Sequence, residues 1–400
     1  MAYDVDRLRE HVPALREGAA HFDGPGGTQI PDQVADAMND ALRSALSNRG
    51  RGTAAERRAD DIVTGARQAM ADLLGADARG IVFGRSMTQI TMDIARTLAQ
   101  DWGPGDEVVV SRLDHDADVR PWVIHAERAG ATLRWAEFDP ATGEMTPEDV
   151  LKHVTPRTRL VALTGASNLI GTRPDLSVIG AGVHEHGALF YVDGVHLTAH
   201  AAIDVSAIGC DFYACSPYKF LGPHLGVLAA SPTLLETLHP DKLLPATNVV
   251  PERFELGTLP YELLAGVSAA VDVLADLVPS GEGTRRARIL ASMAALEDYE
   301  DDLHARMREG LETIPGIRLY SNAKHRTPTE TFTIDGHAPD DISAYLAERG
   351  VNAPAGNFYA LEVSRWLGLG DAGGVRVGLA PYSTEDDVDR LITGLRELAV

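Results

Sequence analysis

Two neighbouring stretches, Ala188-Leu189-Phe190-Tyr191-Val192-Asp193-Gly194-Val195-His196 and Cys210-Asp211-Phe212-Tyr213-Ala214-Cys215-Ser216-Pro217-Tyr218-Lys219, decide how the rest of the chain is read. Each contains a short apolar run of strand length, rich in aromatic and branched residues. The first run closes on an aspartate, and the second leads into a lysine. In an open α/β sheet, ligands bind outside the carboxyl ends of the strands. Asp193 and Lys219 are therefore candidates for one crevice. The bland alternative is a capping carboxylate and an unrelated surface amine, and these two segments alone do not choose between them.

Similar runs lie upstream at Gly80–Gly84, Asp106–Val110, Ala131–Trp135 and Arg159–Leu163. They begin roughly 25–30 residues apart with helical patterning between them, which is the βαβ rhythm of a mostly parallel sheet. Cys210–Cys215 and Gly226–Ala230 are closer together and read as an antiparallel hairpin. Beyond Gly257 the texture changes. Two helical patterns, Tyr261–Leu277 and Thr284–Ile314, flank a break at Pro279–Gly283. Shorter candidates follow at Ile317–Tyr320, Thr329–Ile334, Asp340–Arg349, Gly374–Leu379 and Thr384–Leu398. The expected organisation is a large α/β domain over residues 16–265 and a smaller α+β domain over 266–400, with 1–15 packing on the smaller one.

The chain carries 58 acidic and 36 basic residues, a formal net charge of −22. Apart from Glu297–Asp302, which reads as a solvated helix face, the acidic excess is spread along the sequence. Such a balance argues against a nucleic-acid partner or an anionic membrane surface. The two cysteines, Cys210 and Cys215, lack CxxC spacing and are expected buried on one strand. No charged-then-apolar leader opens the sequence, and no apolar run approaches the ~18 residues that span a bilayer. A reduced cytoplasmic setting is expected.

Four constellations carry chemistry. Ser86-Met87-Thr88 follows a strand and opens a helix, whose N-terminal amides favour an anion such as a phosphate; a plain N-cap is the competing reading. His115, in Asp114-His115-Asp116-Ala117-Asp118, lies past the Val108–Val110 strand and can offer a flat face to a ring, or serve merely at a helix start. Asn168, after the Leu160–Leu163 strand, either caps the turn or points its amide at a ligand oxygen. Asp193 and Lys219 supply a carboxylate and an amine. Pyridoxal phosphate needs that pair, for its ring nitrogen and its aldehyde. His196 is placed to reach the ring's phenolic oxygen, and Ser216 and Tyr218 to hold phosphate. A metal site from His184, His186, Asp193, His196 and His200 fails on distance, because the first two precede a strand of ~17 Å that Asp193 follows.

Together these residues resemble the class V aminotransferase-fold enzymes, the pyridoxal-phosphate-dependent group that includes cysteine desulfurases, selenocysteine lyases and isopenicillin N epimerase. The resemblance covers nearly the whole chain. It rests on Ser86-Met87-Thr88, His115, Asn168, Asp193-Gly194-Val195-His196, Ser216-Pro217-Tyr218-Lys219, Phe254-Glu255-Leu256-Gly257-Thr258 and Val375-Arg376 occurring in register. It implies fold type I, with a mostly parallel seven-stranded sheet in the large domain and a smaller α+β C-terminal domain. It further implies that Lys219 carries the cofactor and shuttles protons, Asp193 pairs with the pyridinium and His115 stacks on the ring. Asn168 and His196 would contact the phenolic oxygen. Ser86, Met87, Thr88, Ser216 and Tyr218 would hold the phosphate, joined by Thr258 of a second subunit in a homodimer with shared active sites. Arg376 would grip the substrate carboxylate, Tyr359 or the Asn357-Phe358 edge would shape the side-chain pocket, and Asn48-Arg49 would reach toward the neighbouring site.

One departure narrows the chemistry. Desulfurases carry a catalytic cysteine on a mobile loop before the late arginine, whereas Pro354–Leu361 here has none. Persulfide chemistry needs an accessible thiolate. The expectation is therefore an enzyme acting on an α-amino acid through an external aldimine, by β-elimination from a cysteine-derived substrate. Transamination and epimerisation are the alternatives, decarboxylation is disfavoured by the Arg376 grip, and a non-catalytic cofactor-binding protein is a further possibility.

Overall fold

The computed structural model describes residues 3–279 and 283–399. Residues 1–2, 280–282 and 400, which include most of the Pro279–Gly283 break, lie outside the described residues. The upstream runs and the 188–219 stretch form one sheet. Its strands are β1 (Ile81–Gly84), β2 (Glu107–Ser111), β3 (Thr132–Ala136), β4 (Thr158–Thr164), β5 (Leu189–Asp193), β6 (Phe212–Cys215) and β7 (Gly226–Ala230). The spatial order is β1-β7-β6-β5-β4-β2-β3. β2 through β6 pair in parallel, while β7 runs antiparallel to both β6 and β1. The hairpin reading of β6 and β7 thus holds, and their pairing sets Cys215 opposite Val227.

Apart from the edge strand β3, which is partly exposed, the strands are apolar on both faces, as expected for a sheet covered by helices on each side. Val109, Val161, Phe190, Val192 and Tyr213 face one core, with Met70, Leu73, Val267 and Ile289. Their sequence neighbours Val108, Val110, Leu160, Tyr191 and Phe212 face another, with Ile90, Ile94 and Trp122. This alternation follows the period of two along a strand. Cys210 departs from expectation. It is half-buried and precedes β6, which starts at Phe212. Asp211 stands between them, its backbone N–H donating to Phe190 O and its carboxylate accepting from Phe190 N at 2.8 Å.

Helices α1 (Asp32–Arg43), α2 (Ala54–Leu74), α3 (Met87–Leu98), α4 (Arg120–Ala129), α5 (Tyr261–Ala275) and α6 (Arg285–Glu312) cover or flank the sheet. α3 begins three residues before the Ile90 that starts its apolar pattern, because Ser86 caps it. The C-terminal sheet, β8 (Ile317–Leu319), β9 (Thr329–Ile334), β10 (Ala355–Gly356) and β11 (Gly374–Gly378), is antiparallel in the order β10-β11-β9-β8. It packs with α6 and with α7 (Glu385–Leu398) around Met307, Phe332, Val377 and Leu391. The N-terminal segment bonds to both regions. Leu8, Val12 and Leu15 join the large core, and Arg9 donates to Tyr382 O and pairs with Asp387 at 3.1 Å.

Candidate active site

Because β1, β2, β4, β5 and β6 are all parallel, their carboxyl ends lie on one edge of the sheet. The segments leaving that edge carry Ser86, His115, Asn168, Asp193 and Lys219. With Arg376 from β11 and the segments Pro25–Gly26 and Phe358–Tyr359, they line one cavity of about 340 Å³. Met87, Thr88, His196, Ser216 and Tyr218 line it as well.

At one end stands the N-terminus of α3, a helix of 12 residues. Ser86 Oγ accepts from Gln89 N at 3.1 Å, so Ser86 is a true N-cap. Its hydroxyl hydrogen and the first-turn amides still face an anion-binding position. Gly226 makes this end possible. A Cβ there would overlap Ser86 C and lie 2.5 Å from Met87 N. β7 can approach the cap closely only because residue 226 has no side chain.

In the middle, Asp193 is buried and accepts from Val195 N at 2.9 Å. Burial pushes its carboxyl up to about 6, with the Val195 N–H and Lys219 opposing. Burial and the charge of Arg376 pull the Lys219 amine down to about 7, against the attraction of Asp193. An amine so placed is partly neutral near physiological pH. It donates to Pro25 O and lies 4.9 Å from the Tyr218 ring centroid. Tyr218 is itself stacked on His224 at 4.6 Å. His115 Nδ1 accepts from Ala117 N at 3.0 Å, which leaves Nε2 to carry the proton. Burial and then Lys219 hold this imidazole at about 4, so it is neutral. His196 is buried, with Nε2 at 2.9 Å from Thr327 Oγ1 and 3.1 Å from Thr329 Oγ1. Burial first, then His200, keeps it well below its ordinary value.

At the far end, Arg376 is 2% exposed. Its Nη1 donates to Asn168 O at 3.0 Å, and its guanidinium carbon lies 3.7 Å from the Phe358 ring centroid. Burial lowers it to about 9. Asn168 Nδ2 donates to Phe358 O at 3.0 Å, and Asn168 Oδ1 is buried without a partner among the described residues. Tyr359 is 74% exposed, with its ring 5.6 Å from that of His115.

Four of the expected residues lie elsewhere in this chain. Thr258 is exposed and lines a neighbouring cavity with Arg85 and Leu256. Asn48 is exposed, and Arg49 is engaged by Asp60 and Glu252, each at 2.9 Å. Asn357 is turned into the wall, its amide donating to Asp371 O at 2.8 Å. Phe358, expected only at the edge of the side-chain pocket, lines the cavity and packs on Arg376. Sequence reasoning missed other residues, among them Thr327 and Thr329, which hold His196. Asp114 and Asp118 lie fully buried, with carboxyls that burial pushes well above the usual range. The Asp114-x-x-x-Asp118 spacing was visible beside His115, but nothing in it foretold burial.

The cavity suits pyridoxal phosphate on its own chemistry. It holds a helix N-terminus for an anion, a buried carboxylate for a ring nitrogen, and an amine of lowered pKa for an aldehyde. A buried amide oxygen and a guanidinium Nε also remain without partners among the described residues. The described residues hold no cluster of three or more His, Cys, Asp or Glu side chains suited to a metal ion.

Comparison with known proteins agrees. The sequence matches the aminotransferase class-V family over residues 20–391. It is 34% identical over 401 residues to an uncharacterised protein of Mycobacterium tuberculosis, covering 100% of both chains. It is 31% identical to an aminotransferase-like protein of Gibberella zeae, covering 98% of each. Among solved structures, the cysteine desulfurase of Thermococcus onnurineus matches with a TM-score of 0.90 at 25% identity, over 100% of this chain and 98% of that one.

Proposed function

The chain belongs to the aminotransferase class-V family, and from that premise we propose that it is a pyridoxal-phosphate-dependent lyase cleaving the C–S bond of a cysteine-derived amino acid. Lys219, Asp193, His115, Asn168 and His196 would hold the ring of the cofactor. Ser86, Met87, Thr88, Ser216 and Tyr218 would hold its phosphate. When bound, the cofactor supplies an electron sink for negative charge developing at the substrate α-carbon.

The protein's own groups supply the rest. Lys219, with its amine near 7, is suited to take the α-proton and return it, since a base works best when its pKa lies near the working pH. Asp193 keeps a carboxylate against the ring nitrogen. His115 is neutral and presents a flat face without adding charge. Arg376 holds the substrate carboxylate through a planar fork, which opposes its loss as carbon dioxide. The Cβ–S bond then breaks as the α-proton is removed, sulfur leaving with the bonding pair. The departing thiolate takes up a proton to leave as thiol, and the released 2-aminoacrylate is hydrolysed by water to pyruvate and ammonia.

The observation that carries this reading is the wall at Asn357–Ala360, which bears Tyr359 and no thiol. Neither cysteine substitutes. Burial pushes the Cys210 thiol up to about 12 and the Cys215 thiol higher still. Both stay protonated and poorly nucleophilic. The test is product analysis with S-methyl-L-cysteine. Methanethiol and pyruvate should appear in equal amounts. Keto-acid exchange without thiol release would turn the assignment to an aminotransferase, and loss of chirality alone to an epimerase.

A homodimer completes this proposal. Thr258 is exposed beside Leu256, and Leu42, Leu243, Leu244 and Val249 are exposed large apolar side chains, of the kind that mark association surfaces. A second copy would bring its Thr258 to the phosphate end of the site and its Asn48-Arg49 segment toward the substrate. Light scattering should give twice the chain mass. No helix among the described residues is long and apolar enough to cross a membrane.

A further inference from the structure

Arg376 is unusual for a buried cation. It is 2% exposed, yet its one side-chain hydrogen bond among the described residues goes to a carbonyl, Asn168 O, through Nη1. Nε is buried without a partner. One face is covered by the Phe358 ring at 3.7 Å, so a ligand must approach in the guanidinium plane. A guanidinium offers two bidentate edges, Nη1/Nη2 and Nε/Nη2. Nη1 already has one N–H engaged, and only the second edge has both of its nitrogens without a partner among the described residues. The space beside it is kept clear by Gly26, where an added Cβ would stand 3.4 Å from Nη2.

Phe358 is held firmly in place. It adopts φ 53°, and Tyr359 follows at 58°, conformations that non-glycine residues keep only where their surroundings impose them. Here Asn168 Nδ2 donates to Phe358 O at 3.0 Å, Asp116 N to Tyr359 O at 2.7 Å, and Tyr359 N to Asn357 Oδ1 at 3.0 Å. Asn168 therefore grips both partners, the arginine through its backbone carbonyl and the phenylalanine through its side chain.

We propose that Phe358, locked onto Asn168, is a positioning residue that presents the Nε/Nη2 edge of Arg376 to the substrate carboxylate. This rests on the carboxylate-binding role given to Arg376 above. The stack restricts the guanidinium to one orientation before substrate arrives, so less ordering remains to be paid on binding.

The test is an absorbance titration of the holoenzyme with L-alanine, which has no leaving group, and with L-alaninamide, which lacks the carboxylate. Phe358→Ala should weaken L-alanine binding by about tenfold and change the amide by less than about twofold. Phe358→Tyr, which keeps the ring face, should restore wild-type affinity. Equal weakening of both probes, or unchanged L-alanine affinity in Phe358→Ala, overturns the proposal. Arg376→Gln separates the two levels. If that variant still prefers the acid over the amide as the wild type does, the carboxylate role of Arg376 itself is wrong. If it loses the preference while Phe358→Ala keeps it, only the positioning role fails.

Discussion

Removing the amine that the proposed chemistry requires should make the cofactor-stripped protein more stable, by an amount that depends on pH. Lys219 is pulled from an ordinary 10.5 to about 7, chiefly by burial. At 1.36 kcal/mol per pH unit, that difference bounds the cost of folding around a protonated Lys219 at about 5 kcal/mol. Lys219 is only half-buried, so screening reduces the expected cost to ~2–3 kcal/mol. Below pH 7 both folded and unfolded chains hold the proton, and the full cost is present. Between 7 and 10.5 the unfolded chain keeps a proton that the folded chain has shed. Wild-type stability therefore climbs with pH across that window, and above 10.5 no cost remains. Lys219→Met, which preserves length and removes the charge, should thus gain ~2–3 kcal/mol at pH 6, shrinking steadily toward pH 10. Asp193 trims the gain above its own value of about 6, because its ionised form loses a favourable neighbour. Urea denaturation of stripped wild type and variant, compared as midpoint shifts at equal slope, measures this. A variant less stable than wild type at pH 6, or a gain equal at pH 6 and pH 9.5, would refute the argument.

Glu330, with a fully buried side chain, accepts from His304 and Arg308 at 2.9 Å each and forms an ion pair with Arg326 at 2.9 Å. Glu330→Gln should cost ~3–5 kcal/mol, since it leaves buried cations uncompensated; a melting temperature within about 2 °C of wild type would contradict this. Burial works to raise the Glu330 carboxyl, yet His304 and Arg326 hold it below its ordinary 4.5. Its contribution is therefore present above pH 4.5 and fades as pH falls further, and the deficit of the variant should narrow in acid. The thiols give a chemical test. At pH 8, iodoacetamide should leave Cys210 and Cys215 of the folded protein largely unlabelled, and stoichiometric labelling with loss of activity would show a nucleophile that the buried positions do not supply.

The parts of this protein legible in the sequence are those whose signal is local. Asp193 and Lys219 announced themselves because each follows an apolar run, and a parallel sheet converts strand ends into neighbours. Ser86 was legible for the same reason, as a cap between a strand and a helix. Arg376 was legible only through resemblance. Nothing around Val375-Arg376-Val377 distinguishes it from an edge-strand arginine, and its significance comes from being 2% exposed. The Asn168–Phe358–Arg376 contact was not legible at all. It joins residues from the end of β4, the segment after β10 and the middle of β11, and no pattern within any of them predicts the others. Thr327 and Thr329, which hold His196 from the C-terminal sheet, were hidden likewise.

What the sheet edge cannot do is choose among reactions, because carboxylate, amine and helix N-terminus serve every outcome at the α-carbon equally. The choice must come from groups that reach the substrate from outside the sheet, and the segment Asn357–Ala360 is such a group. It is tied to the sheet-edge loops by Asn168 and Asp116, and to Asp371 by Asn357. Two consecutive residues with left-handed φ cost about 1–3 kcal/mol each. Those ties must outweigh that cost, so the segment favours staying where it is. A fixed aromatic wall cannot deliver a nucleophile to a departing sulfur. In the proposed site it would shape the space beside the substrate Cβ, with Phe358 packed on Arg376 and Tyr359, 74% exposed, toward solvent. In the proposed reaction, a leaving group released there would pass along Tyr359 into solvent instead of onto the protein. Tyr359→Ala should accordingly broaden the range of S-substituents accepted, with kcat for S-methyl-L-cysteine within about twofold of wild type. A large fall in kcat with unchanged substrate range would mean that Tyr359 takes part in bond breaking, and that the wall is not passive.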